Sequence, residues 1–320
     1  MQLTIFGTGG HFPLEKSATN HTRTVVGNMK KDIPHIKFNP SSAENFGFEI
    51  LPIEKIAREK EQYNHNPELP HQLKFYNLVF FTSGSGRHFI DFNWFPVKEN
   101  SLVYLTKEQV NAFDFSKNLN GFCIIFTEEY FVNCFSHLPE DFVFRLFNPQ
   151  LFSPILQIPK QSDFKTYFKL LQQEFNNTET FNQKAIIESL FVILISKAED
   201  LKKNQTFHIT DSSKIKIFQK FTSLLESHSS KSRSADFYAK ELTITYKHLN
   251  TICKELVNKT AKSVINDFVI LQAKRNLINS NLKITELAYK LGFEDPTNFS
   301  KYFKKHTSLT PNSFIKSIPE

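Results

Sequence analysis

The sequence predicts an α+β multidomain protein, with a small N-terminal β-barrel that carries helices and a C-terminal all-α domain holding two helix-turn-helix units. Three observations predict it. The chain has 320 residues, more than the roughly 250 a single core usually fills. Its apolar pattern changes from short runs broken by turn residues to three- and four-residue spacing after residue 163. A stretch near the C-terminus repeats itself at a period of about fifty residues. The 40% hydrophobic content and 35 phenylalanines exclude a disordered chain, which lacks the apolar surface to offset ordering.

Met1 to Gly10 shows no basic segment followed by an apolar run, and no stretch approaches the roughly 18 uncharged apolar residues of a membrane span. A cytoplasmic location with no membrane partner is expected. Up to about residue 130 the runs read as strands. The turn Ser83-Gly84-Ser85-Gly86 is expected to close a hairpin between Leu73–Thr82 and Arg87–Phe92, because glycine permits the positive φ of tight turns. Further strands are expected at Ser101–Leu105 and Phe122–Phe126.

From Asp163 onward Phe164, Tyr167, Phe168, Leu171 and Phe175 line one helical face. A second helix is expected from Phe181 to Leu201. Its residues Ile186, Ile187, Leu190, Phe191, Ile193, Leu194 and Ile195 cover more than one stripe, which predicts packing both on its own domain and on a second copy in a homodimer. An ordinary buried helix is the alternative. The polar stretch from Lys202 to Ser213 predicts a linker, giving an N-terminal domain at 1–205, with helices near 163–203, a linker at 206–214 and a C-terminal domain at 215–318. Cys123, Cys134 and Cys253 show neither CxxC spacing nor an even-numbered framework, so buried reduced thiols are expected and a zinc site is not.

The net charge of +7 is unevenly placed. From Asp211 onward 18 basic residues stand against 10 acidic ones, and before it 21 against 22. A basic excess confined to one segment fits either a polyanion-binding surface or a solvated lysine-rich face. The repeat favours the first. Asp236–Lys254 and Thr285–Lys304 superimpose with Ala239 on Ala288, Leu242 on Leu291, Leu249 on Phe299 and Cys253 on Phe303, if the second copy has one extra residue in its turn. Each reads as helix, turn, helix. Gly292 suits the second turn, Asp295 its N-cap and Pro296 the first helical position, while Thr243 or Thr245 caps the first copy. The units are expected at about 234–257 and 284–306, joined by a helix at about 263–279 that sets their separation.

The block ITELAYKLGFEDPTNFSKYFKKHTSLTP, Ile284 to Pro311, together with AKRNLI from Ala273 to Ile278, resembles the signature of AraC/XylS-type transcriptional regulators. The resemblance covers roughly Lys216 to Ser317. Ser308 departs from it where a glycine is usual, and Ile315 where an arginine often stands. The resemblance implies that Lys247, Asn250 and Thr251 read bases from the first recognition helix, and Thr297, Ser300 and Lys301, with Asn298 beside them, from the second. Lysine suits guanine O6 and N7, asparagine adenine. Lys254, Lys304 and Lys305 are expected on phosphates, where they give salt-dependent affinity without sequence information.

The run Tyr76–Phe92 followed by Asn100–Val110 looks like the cupin-like barrel found in the N-terminal part of such regulators. A small-molecule effector is implied there, in an apolar pocket drawn from Phe75, Tyr76, Phe81, Phe89 and Trp94, with Phe80 and Phe92 as further aromatics; core packing is the plainer role for such side chains. Cupin metal sites need several converging histidines, and here no HxH occurs, so neither a metal nor another cofactor is expected. No GxSxG or HExxH is present, and no enzymatic activity is expected. The expected function is a sequence-specific DNA-binding transcriptional regulator, an activator under effector control, reading two adjacent major-groove segments of double-stranded DNA, with RNA polymerase as a further partner. The alternatives are a cupin-type enzyme with an accessory DNA-binding tail and a nonspecific architectural protein.

Overall fold

The aromatic runs form ten strands in two five-stranded sheets among the described residues. The computed structural model describes residues 33–38, 46–116, 118–136, 147–148, 151, 153–177, 179, 181–205, 212–279 and 282–318. The strands are β1 (His35–Ile36), β2 (Phe48–Pro52), β3 (His71–Leu73), β4 (Tyr76–Ser83), β5 (Ser85–Ile90), β6 (Asn93–Lys98), β7 (Ser101–Leu105), β8 (Val110–Phe113), β9 (Asn120–Phe126) and β10 (Ile155–Gln157). One sheet runs β1-β3-β8-β5-β6 and the other β10-β7-β4-β9-β2. A short helix α1 (Ile53–Arg58) follows β2, and α2 (Glu128–Phe135) follows β9.

Successive side chains of a strand point to opposite faces, and here both faces are covered. Val79, Phe81, Val103, Leu105 and Cys123 of the second sheet meet Ile90, Val97 and Phe113 of the first between the sheets. On its other face the second sheet turns Phe48, Leu78, Phe80, Ile124 and Phe126 toward α3 (Phe164–Phe175) and α4 (Gln183–Gln205). Phe80 stacks on Phe168 of α3 with ring centroids 4.8 Å apart. That double burial explains why these strands read as continuous apolar runs. Ile187, Phe191, Leu194 and Ile195 of α4 are buried in the same layer, while Ile186 and Ile193 remain exposed.

The expected β4–β5 hairpin is corrected. The two strands lie in different sheets, and Gly84 turns the chain from one sheet to the other. At φ +87 a Cβ there would sit 2.2 Å from the Asn118 carbonyl oxygen, so the turn is crowded by a segment distant in sequence. The hairpin is instead β5–β6, where Ile90 faces Asn93 across Asp91-Phe92. Both turn residues have positive φ, 43° and 70°, as the tight turns matching strand twist require.

The helices that follow are α5 (Ser212–His228), α6 (Ala235–Glu241), α7 (Tyr246–Val257), α8 (Ala261–Asn279), α9 (Ile284–Lys290), α10 (Pro296–Thr307) and α11 (Pro311–Lys316). Helix α5 begins inside the stretch expected as a linker, of which residues 206–211 lie outside the described residues. Helices α6, α7, α9, α10 and α11 all pack on α8. Their core, which includes Phe218, Tyr238, Leu249, Ile265, Ala273, Ala288, Phe299 and Phe303, also takes in Phe89, Val110 and Ala112 from the outer face of the first sheet. Cys123, Cys134 and Cys253 are free and buried. Among the described residues no helix is long and apolar enough to cross a membrane.

Candidate nucleic-acid interface

Each repeat folds as a helix, a tight turn and a second helix: α6 with α7, and α9 with α10. The turn of the second unit, 291–295, is one residue longer than that of the first, 242–245. Thr245 caps α7, its hydroxyl accepting from the His248 amide. Asp295 caps α10, accepting from the Thr297 amide at 2.7 Å, with Pro296 in the first turn. Such caps satisfy amide groups that the helix itself leaves free. Thr243 does not cap; it takes a left-handed conformation at φ 57°.

On α7 Leu249, Ile252, Cys253 and Leu256 are buried, leaving Lys247, Thr251 and Lys254 exposed at i, i+4 and i+7 on the opposite face. On α10 Phe299 and Phe303 are buried, and Thr297, Asn298, Lys301, Lys304 and Lys305 are exposed, with Ser300 half-buried. Among the described residues no carboxylate pairs with any of these five lysines. Two residues are partly committed elsewhere. Asn250 is half-buried, and its side-chain oxygen accepts from the Ala261 amide at 3.1 Å, capping α8. The Thr251 hydroxyl donates to the Lys247 carbonyl one turn back. Burial and the neighbouring Lys305 lower the pKa of His306, so its ring adds little positive charge at neutral pH. Tyr246 at the start of α7 is 44% exposed, beside Lys247.

A family model described as a helix-turn-helix domain matches residues 238–317, the span that holds both units. The helical domain is of the AraC type. The chain is 21% identical over 262 residues to the HTH-type transcriptional activator RhaS of Escherichia coli O139:H28, covering 77% of this chain and 88% of RhaS. It is 26% identical over 147 residues to the Msm operon regulatory protein of Streptococcus mutans serotype c, covering 45% of this chain and 52% of that one. Among solved structures, ToxT from Vibrio cholerae aligns with a TM-score of 0.44 at 16% identity, over 86% of this chain and all of that one. The family match thus falls on the helical domain, which follows the β-rich region in the chain.

The residues expected as an effector pocket are not brought together. Phe75 and Phe81 lie between the sheets, Phe80 faces α3, and Phe89 and Phe92 join the core of the AraC-type domain. Trp94 is 37% exposed beneath the Arg87 guanidinium, 4.0 Å from its ring. Tyr76 alone of these lines a cleft of about 1050 Å³ between the β-rich region and the AraC-type domain, together with Gln72, Phe147, Gln219, Thr222, Gln272 and Arg275. Strand alternation explains the dispersal: neighbouring aromatics face different layers.

Proposed function

We propose that this regulator reads two adjacent major-groove segments of double-stranded DNA with α7 and α10. The observation that carries the reading is the pair of capped helices, each with a buried apolar stripe and, opposite it, an exposed stripe of unpaired lysines and small polar side chains. Lys247, Thr251, Thr297, Asn298 and Lys301 contact base edges, with Asn250 and Ser300 contributing from the rim. Lys254, Lys304 and Lys305 contact phosphates, which makes affinity fall steeply with salt. In this reading the chain divides into an effector and dimerisation domain at 1–205 and a reading domain at 215–318. It has no catalytic role.

Effector control and activation are further parts of the proposal. The cleft at Tyr76 supports an effector site, because it is walled by polar side chains from both the β-rich region and the AraC-type domain. RhaS is named an activator, which supports activation through contact with RNA polymerase. The exposed Ile186 and Ile193 of α4, with Phe181 ahead of it, support a homodimer.

The test is selection of bound sites from a random duplex library with the full chain at physiological salt. Two contacted blocks about one helical turn apart are expected. Recovery of no motif, with binding that vanishes as salt rises, would leave only electrostatic attraction. On the recovered site Lys301→Ala is expected to cost about 1–3 kcal/mol of specific binding. Equal losses on target and random DNA would make Lys301 a phosphate contact.

A further inference from the structure

The loop between α5 and α6 precedes the first reading unit in sequence, yet it docks on the turn of the second. The Arg233 guanidinium donates from Nη1 to the Leu291 carbonyl and from Nη2 to the Gly292 carbonyl, each at 3.2 Å. Its central carbon lies 3.8 Å from the centroid of the Phe293 ring. Three residues earlier the Ser230 carbonyl presses so close to Gly292 that a Cβ there would come within 1.7 Å of it. The Arg233 carbonyl in turn accepts from Lys262 Nζ of α8 at 2.7 Å. No carboxylate pairs with Arg233 among the described residues.

These contacts have a geometric consequence. The carbonyls of Leu291 and Gly292 lie directly after α9, at its cap and in the turn, beside the helix end that carries negative partial charge. A planar guanidinium can satisfy two at once and stack on a ring, which an ammonium cannot. The two units are therefore joined twice: through α8, on which both pack, and directly through Arg233. A single connecting helix leaves each unit free to rock about its contact with it, and a second attachment away from that axis removes the freedom.

We propose that Arg233 is a positioning residue that fixes the separation and phase of α7 and α10, and so the spacing of the two DNA blocks this regulator accepts. It touches no base; it acts by holding the turn of the second unit from the loop that leads into the first. The proposal rests on the bipartite DNA reading above.

The experiment is a parallel selection from one random duplex library with the full-length wild type, Arg233→Ala and Arg233→Lys, followed by competition between the recovered site and the same site lengthened by one base pair between its blocks. One inserted pair shifts the second block by about 3.4 Å along the duplex and about 34° around it. The wild type is expected to recover one sharp separation. Arg233→Ala recovers the same two blocks at a spread of separations, and its preference for the original spacing falls about tenfold. Arg233→Lys, able to reach one carbonyl, falls between, and it serves alone if the alanine variant does not fold. Identical sharp separations in all folded variants, with no more than a uniform drop in affinity, would overturn the proposal. Absence of any motif from the wild type would overturn the DNA reading itself.

Discussion

Thr243 and Gly292 occupy the same place in the two units, each directly after the leucine that ends the first helix, and both have positive φ, 57° and 77°. Glycine holds that conformation freely, whereas a β-branched residue is strained there by about 1–2 kcal/mol. Gly292 is doubly required, since the Ser230 carbonyl leaves no room for a Cβ; Thr243 is exposed and meets only the conformational cost. Thr243→Gly is therefore expected to stabilise the protein by about 0.5–1 kcal/mol, once the greater freedom of glycine in the unfolded chain is deducted. Urea denaturation at neutral pH checks this, and a lower midpoint would mean that the threonine side chain contributes a contact outweighing the strain. A similar argument explains Ser308, which departs from the family's usual glycine: it ends α10 in a left-handed conformation at φ 63°. The sequence marked both residues as departures or ambiguities, but backbone angle, the quantity that gives them meaning, is not written in residue type.

The strands β3 and β5 carry His71 and His88, which are 3% and 0% exposed. Burial pushes their pKa values down to about 3 and about 4, so both rings are held neutral in the fold. In the unfolded chain they titrate near 6.5. Above that pH neither state binds the proton, and the neutral rings add no pH dependence. As pH falls below 6.5 the unfolded state takes up protons that the folded state refuses, so stability declines until the folded values are reached. Each histidine is expected to cost about 2 kcal/mol by pH 5. Denaturation curves at pH 7.5 and pH 5 should show the decline, and His88→Gln should remove part of it; an unchanged pH slope in that variant would count against the assignment. Elements of this kind were unevenly legible. The helix-turn-helix units could be read almost residue by residue, because helical period, caps and turn residues are local signals. The sheet partners of β4 and β5 could not, because the turn at Ser83–Gly86 packs against Asn118, far along the chain, and such a contact leaves no local signal. The scattered aromatics misled for a related reason: adjacent phenylalanines belong to different layers once both sheet faces are buried.

At the scale of the whole molecule, the β5–β6 turn reaches the AraC-type domain. Asp91 receives two hydrogen bonds from Arg275 Nη2 and one from Nε, at 2.8–3.1 Å. Both side chains are only 11–13% exposed. Gln109 Nε2 and the Val110 amide also donate to the Asp91 carboxylate. Phe92, beside it, meets Phe314 of α11 edge to face at 5.2 Å. Removing one partner of a buried pair leaves an uncompensated charge, at a cost of about 3–5 kcal/mol. Asp91→Ala is thus expected to uncouple the two regions. Fluorescence of Trp94, on β6 beside this turn, and helical circular dichroism should report one unfolding transition in the wild type and two in the variant. Coincident transitions in both would place the coupling in the shared apolar contacts of Phe89, Val110 and Ala112 instead.

The two-residue tip at Asp91-Phe92 also bears on how such regulators can be recombined. A chimera that grafts this reading domain onto the β-region of a relative inherits a bare Phe314 and an arginine with no carboxylate, unless the donor hairpin ends in a matching acidic-aromatic pair. The natural seam for exchange is therefore not the polar stretch after α4 alone. It includes a dipeptide more than a hundred residues upstream, and successful transplants should carry both.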